Sequence, residues 1–422
     1  MKSEWIRTGL FAALAAALAL VAASFQPESR RSEIFSDAGE LFFPNFRDVT
    51  KVNAIEVVDY DEAEAVARPL KVELRKGKYL LTSHADYPAE ARERITRTAA
   101  ALVDLKKDAA VSDRIEDHAT YGVIDPLDAK NPSLTGRGKR VTLRDAGGTT
   151  LAELVMGNPV KGKPGSRYVR LPGQKRTYAV ATDADPSAQF ADWVEPNLLR
   201  VSAGEIAKLT LNSYQIDEQF GRLVNQQRTV MERGTPSWDA KAQAIAATMA
   251  SLRVVGARAK PPQLAEQLKQ KQLMLSLETV MSLRQRGYFI TPSGSLLSNE
   301  GELIAETDKG VSYVLRFGEV VSESPAAPSQ GRAKENRYLF VTVSARKPEA
   351  ETAEKALTAK FADWYYVISG ADFAKLHPVR AAQLSQAPPA VAATPAGMPP
   401  GAPPGVPQGR PPVPPPAAPQ RQ

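Results

Sequence analysis

A chain of 422 residues is longer than one ordinary domain, and a prior of about 150 residues per domain points to two or three. With 43% hydrophobic and 24% charged residues it is globular in composition, and its net charge of +7 is spread without a dense basic block, which argues for solubility and against nucleic-acid binding. The absence of cysteine excludes disulfides, thiolate metal sites, cysteine nucleophiles and lipid-modified cysteine.

Lys2 and Arg7 precede an uncharged run from Thr8 to Phe25, rich in Ala, Leu and Val. At 1.5 Å per residue that run is near the lower limit for crossing a hydrocarbon core of roughly 30 Å. It is longer than the core of a usual signal peptide, so residues 1–25 read as a retained transmembrane anchor. Val21-Ala22-Ala23-Ser24 keeps a cleaved signal peptide as the alternative. Arg30 and Arg31 nearly balance Lys2 and Arg7, but a short basic N-terminus stays inside and long domains cross regardless of charge. The expectation is a single-pass protein of a cytoplasmic membrane with its globular part extracytoplasmic.

Residues 26–47 read as a tether ending in Leu41-Phe42-Phe43-Pro44, where the folded region begins. Val52–Val58 reads as a strand, and Pro69–Arg75 with Tyr79–Thr82 as a hairpin across Lys76-Gly77-Lys78. Pro88 is expected to open a helix to about Lys106, with Ile95, Ala99, Leu102, Val103 and Leu105 as its apolar stripe. Tyr121–Pro126 is a turn. Arg140–Arg144, Thr149–Met156, Arg167–Leu171 and Thr177–Ala181 read as strands separated by Gly147-Gly148 and Pro172-Gly173. A short helix carries Phe190 and Trp193.

Phe190-Ala191-Asp192-Trp193 is written again as Phe361-Ala362-Asp363-Trp364, and the Ser202–Leu209 stretch is echoed by Ser369–Leu376. Between the copies, Ile206–Leu211 and Gln227–Glu232 read as strands and Ala240–Val254 as a helix. Tyr288–Pro292 is set against the Gly122–Pro126 turn, Val311–Gly318 against Thr149–Gly157, and Tyr338–Val341 against Tyr168–Leu171. The pattern reads as an internal duplication. The expected fold is α+β: two related β-rich modules, 48–203 and 204–384, each a mostly antiparallel sheet with a packed helix. The second module carries an addition, 261–286, read as one long helix from Gln263 to Gln285. Its apolar face is Leu264, Leu268, Leu273, Leu277, Val280 and Met281; it either covers an open sheet face or docks a membrane partner. Residues 385–422 are Pro/Ala/Gly with Arg410 and Arg421 as the charges, a composition that cannot bury enough apolar surface to fold; a disordered spacer is expected, with a Pro-rich ligand as the other reading.

No chemistry stands out. His84, His118 and His377 are not at metal-ligand spacings. Asp113, Glu116, Asp117 and His118 form the densest ionisable cluster; on a helix Asp113 and Asp117 would share a face, though such a cluster is ordinarily a solvated helix end. Asp59-Tyr60-Asp61-Glu62 lacks the glycine and distal glutamate of a calcium loop. Ser344-Ala345-Arg346-Lys347 matches Ser-x-x-Lys without its companion motifs. Gly136-Arg137-Gly138-Lys139 and Gly162-Lys163-Pro164-Gly165 are turn chemistry. No catalytic, cofactor or metal residue is assigned.

The runs Leu296–Leu303, Gly310–Gly318 and Glu335–Val341, with Tyr121-Gly122, Asp125-Pro126, Met156-Gly157 and Tyr168–Gly173, make the chain resemble the bacterial DUF4340 family over roughly residues 42–384. That resemblance implies a membrane-anchored envelope protein of unknown function, associated with ABC-type export systems of the kind linked to gliding motility, and it carries over no catalytic residues. The expectation is a non-enzymatic accessory protein whose partners are the membrane and transporter permease or ATPase subunits. A module binding an envelope polymer or peptide between the two copies is the alternative, and a hydrolase the third.

Overall fold

The structure, a computed structural model, describes residues 37–217, 222–272, 276–291, 294–321 and 335–380. The expected anchor at 1–25, most of the tether and the Pro-rich tail lie outside the described residues. Among the described residues no helix is long and apolar enough to cross a membrane.

The protein is a β-rich α+β fold of antiparallel sheets and short helices. Its first half runs β1 (Ala54–Asp61), β2 (Val66–Arg75), β3 (Lys78–Leu81), β4 (Tyr87–Pro88), α1 (Arg92–Val103), β5 (Ala109–Ser112), α2 (His118–Tyr121), β6 (Lys139–Arg144), β7 (Thr150–Pro159), β8 (Ser166–Arg170) and β9 (Thr177–Ala181). The second half runs β10 (Ile206–Asp217), β11 (Arg222–Glu232), α3 (Ala240–Ala250), β12 (Gly256–Ala259), α4 (Pro262–Lys269), α5 (Leu277–Arg284), β13 (Tyr288–Ile290), β14 (Leu296–Ser298), β15 (Glu302–Thr307), β16 (Val311–Val320), β17 (Arg337–Ala345), α6 (Glu351–Ala362), β18 (Trp364–Ile368) and α7 (Gly370–Leu376).

The first sheet has the order β4-β3-β2-β1-β6-β7-β8-β9-β5 and the second β11-β10-β15-β16-β17-β18-β12. The last seven strands of the first sheet follow the same plan as the seven of the second. A hairpin comes first, then a helix, then a short strand that crosses to the far edge, then four strands that fill the middle. Alternation puts Ile55, Val57, Val141, Leu143, Ala152 and Leu154 on the helix-covered face of the first sheet, against Ile95, Ala99 and Leu102 of α1. Leu209, Leu211, Leu303, Ala305 and Leu315 take the corresponding face of the second, and both faces join one continuous core.

Several expectations change. Pro88 does not open a helix: it pairs opposite Leu80, Ala89 N–H donates to Tyr79 O at 2.9 Å and Glu90 N–H to Trp193 O at 2.7 Å, so the chain stays extended until Arg92. Tyr288–Ile290 is strand, not turn, because it pairs with Leu296–Ser298. The addition is two helices rather than one. Lys271 adopts a left-handed φ of 56° after α4, and the Ser276 hydroxyl accepts from Thr279 N–H at 3.2 Å to start α5. The repeated tetrapeptide is out of phase with the strands. Phe190–Asp192 is a single 3-10 turn after β9, whereas Phe361 and Ala362 end α6 and Trp364 begins β18, the counterpart of β9. Phe190 opens a three-residue turn while Phe361 sits in the last turn of a twelve-residue helix, so the likeness is of residues and not of place.

Candidate binding cleft

The outward face of the first sheet is polar. Arg140 and Thr142 of β6, Glu153 of β7 and Arg170 of β8 alternate with the core residues of the same strands. The loop from Gly122 to Gly138 folds over one end of this face. Gly122, at φ 67°, ends α2 in the left-handed conformation, and Gly157 of β7 lies directly beneath. A Cβ on Gly157 would sit 2.4 Å from Tyr121 O, so the close approach of loop to strand requires glycine.

Arg137 holds the loop in shape. Its Nε donates to Ser133 O at 2.9 Å, one terminal nitrogen to Asp125 O and Asp128 O at 3.0 and 3.1 Å, and the other to Asn131 O at 2.7 Å, while its guanidinium lies 4.6 Å from the centre of the Tyr60 ring. One planar fork thus satisfies carbonyls that a loop leaves unpaired.

Between this loop, the β8–β9 turn and β6 lies a cleft of about 600 Å³, walled by His118, Asp125, Asn131, Arg140, Arg170 and Lys175. His118 is buried, and its Nε2–H donates to Lys175 O at 2.8 Å, the carbonyl being able only to accept. Burial pushes the imidazole below its usual pKa, against the pull of that carbonyl. Arg140 bridges Asp125 and Glu153, each at 2.8 Å. Burial opposes its charge, and the bonds to Glu153 and Asp125 outweigh that, holding the guanidinium above its ordinary value. Arg170 is 5% exposed and donates from Nε to Val123 O and from a terminal nitrogen to Gln174 O, both at 2.8 Å. Among the described residues no carboxylate lies within 4.0 Å of it.

The ionisable cluster read from the sequence does not converge. Asp113 pairs with Arg176 at 2.7 Å, Asp117 accepts from Ser112 Oγ at 2.6 Å, Glu116 stands exposed beside Arg114, and only His118 turns into the cleft. Among the described residues no group of three His, Asp or Glu is placed to hold a metal ion. Asp61 caps its own turn through the N–H groups of Ala63 and Glu64. Sequence reasoning flagged His118, read Arg137 only as part of a glycine turn, and passed over Arg140 and Arg170; a basic residue on an outward strand position reads as solvated, and only the loop closing over it changes that.

The same place in the second half is filled. Gly287 and Gly318 repeat the close pair, since a Cβ on Gly318 would fall 2.2 Å from Arg286 O. Val169 pairs with Met156 as Leu339 pairs with Phe317, so Phe340 stands where the first half has Arg170. Leu283, four residues before Gly287, stands where His118 precedes Gly122. Leu264, Leu283, Tyr288, Leu296, Phe340 and Tyr365 form a separate buried cluster here. Lys260 is enclosed with them: its Nζ lies 4.1 Å from the Phe340 ring centre and donates to Phe361 O at 2.8 Å. Burial drives its pKa well below the usual lysine value.

The expected docking face therefore divides. Leu264 is fully buried and Leu268 packs on the same cluster, so α4 covers the sheet. Leu277 and Met281 of α5 are 79% and 52% exposed, Val280 is half-buried, and Leu273 lies outside the described residues.

Comparison with known proteins gives one match. The profile of the DUF4340 family, a domain of unknown function, matches residues 80–282, which bears out the resemblance over that span. The span runs from β3 to α5 and contains the cleft; the runs from Leu296 to Val341 lie beyond it. No curated protein and no solved structure matches the chain.

Proposed function

Proceeding from a DUF4340 domain at residues 80–282, we propose that the protein is a non-enzymatic accessory subunit of the bacterial envelope. In this reading residues 8–25 anchor it in the cytoplasmic membrane with the folded part extracytoplasmic. It works by protein–protein contact with an ABC-type export system of the kind linked to gliding motility. The observation that carries the reading is the exposure of Leu277 and Met281, one helical turn apart on α5. Tethering supplies local enrichment, so a modest surface suffices.

The two halves are read as copies of one ancestral module. What supports this is the shared seven-strand order and the matching glycine pairs Gly122/Gly157 and Gly287/Gly318.

The test is co-purification of the full chain in mild detergent with transporter ATPase and permease subunits. The expected result is recovery of both, lost in the double variant Leu277→Ser/Met281→Ser. Removing the whole 263–285 segment is unsuitable, because Leu264 and Leu283 are core. Recovery undiminished in the double variant, or no transporter subunit with the native chain, overturns the reading.

A further inference from the structure

Burying a guanidinium is costly unless its charge is met. The described structure meets that of Arg140 with two carboxylates and that of Arg176 with Asp113 and Asp37. Arg170 is buried more deeply than either, yet only backbone carbonyls touch it, and it forms part of the wall of the 600 Å³ cleft. Asp125 and Asp128 act on it only through space, and both are already engaged: Asp125 takes Arg140 at 2.8 Å and Leu127 N–H at 2.9 Å, and Asp128 takes Lys130 N–H at 3.0 Å.

We propose that the cleft between the Gly122–Gly138 loop and the β8–β9 turn is a binding site for a carboxylate-bearing peptide segment, with Arg170 receiving the carboxylate. The inference concerns the first half and stands apart from the α5 contact.

The size fits: a volume of about 600 Å³ lies within the roughly 300–1,000 Å³ range of ligand clefts and holds a few residues of extended chain. The charge fits a single carboxylate group at Arg170. Lys130 and Lys175 stand exposed at the mouth and attract further acidic residues of the same peptide, while Asp125 and Asp128 disfavour two charges on one group, as in phosphate. The remaining wall favours a peptide. Asn131 and Gln174 place amide groups beside the charged ones, which matches alternating backbone donors and acceptors. The loop wall is fixed by Arg137, so the site is formed before a ligand arrives.

The experiment is fluorescence anisotropy with a labelled tetraglutamate peptide on the full chain, against tetraglutamine, inorganic phosphate and a galacturonate oligomer. Saturable binding of tetraglutamate, at least tenfold weaker binding of tetraglutamine and at least tenfold loss in Arg170→Met support the site. Should Arg170→Met not fold by circular dichroism, the surface variant Lys130→Glu/Lys175→Glu decides: the same loss is expected there, and none in the control Lys161→Glu. Equal binding of tetraglutamine, tighter binding of phosphate or of galacturonate, or variants that bind as the native chain does, overturn it. Failure here leaves the co-purification result untouched, and the reverse also holds.

Discussion

The same position in the two halves of this molecule has opposite fates. In the first half a loop arches over the sheet and leaves a polar cleft with Arg170 at its wall; in the second, Phe340 holds that position and α4 seals it with Leu264. Each half has a buried cation there, Arg170 or Lys260; Arg170 lines a cavity, while Lys260 lies against the Phe340 ring. The difference teaches that one strand plan can serve as a binding surface or as packing, depending on a single outward residue and on whether a helix is added above it.

The largest expected effect comes from truncating the two corresponding residues. Phe340→Ala should cost about 3–5 kcal/mol in denaturant unfolding, because it empties a closed cluster and strips Lys260 of its ring. Arg170→Ala should cost only about 1–2 kcal/mol, since water enters the open cleft in its place. Equal costs would break the comparison.

Next come the paired glycines. Gly157→Ala and Gly318→Ala each drive a methyl group onto a backbone carbonyl, at 2.4 and 2.2 Å, and each should destabilise by about 3 kcal/mol. A thermal shift in one variant but not the other would show that the halves hold their loops differently.

The buried histidines sharpen the contrast through pH. His377, fully buried beside Phe317 and Phe373, has its pKa pushed down to about 4 by burial, with Arg380 and Lys241 adding to the effect. Unfolded, it titrates near 6.5, so the unfolded chain binds the extra proton as pH falls. Its contribution is intact above about pH 6.5, is lost as pH falls through the window, and is gone below about 4, a total of up to about 3 kcal/mol. Chemical denaturation at several pH values, with NMR titration of the imidazoles, reads this directly; a His377 resonance titrating near 6.5 would contradict it. The smallest effect is expected from Leu277→Ser/Met281→Ser, within about 0.5 kcal/mol of native stability because both side chains already face water.

The parts legible in the sequence were those with strong local signals. The hairpin at Lys76-Gly77 and the strands ending at Arg144 and Ala181 follow from alternation and turn residues. Ala109–Ser112 and Gly256–Ala259 did not read as strands: both are short and dominated by small residues, and become strands by pairing with β9 and β18 at the sheet edges. The recurrence of Phe-Ala-Asp-Trp suggested a repeat at the wrong place, although the strand order carries the likeness without it. Of the cleft, His118 and the Tyr121–Pro126 turn were visible. Arg137 was hidden because its role is to gather four carbonyls of its own loop, Asp125, Asp128, Asn131 and Ser133, and no residue pattern marks that curl. Arg170 was hidden because nothing local marks an outward strand position as covered.

The most direct measurement is NMR of arginine Nε–H and lysine Nζ signals while tetraglutamate is added to the full chain. The expected result is a saturable shift at Arg170 with Lys260 unmoved. A shift at Lys260, or movement of exposed lysines and arginines alone with Arg170 silent, would contradict the view that the first half binds at the place the second half has closed.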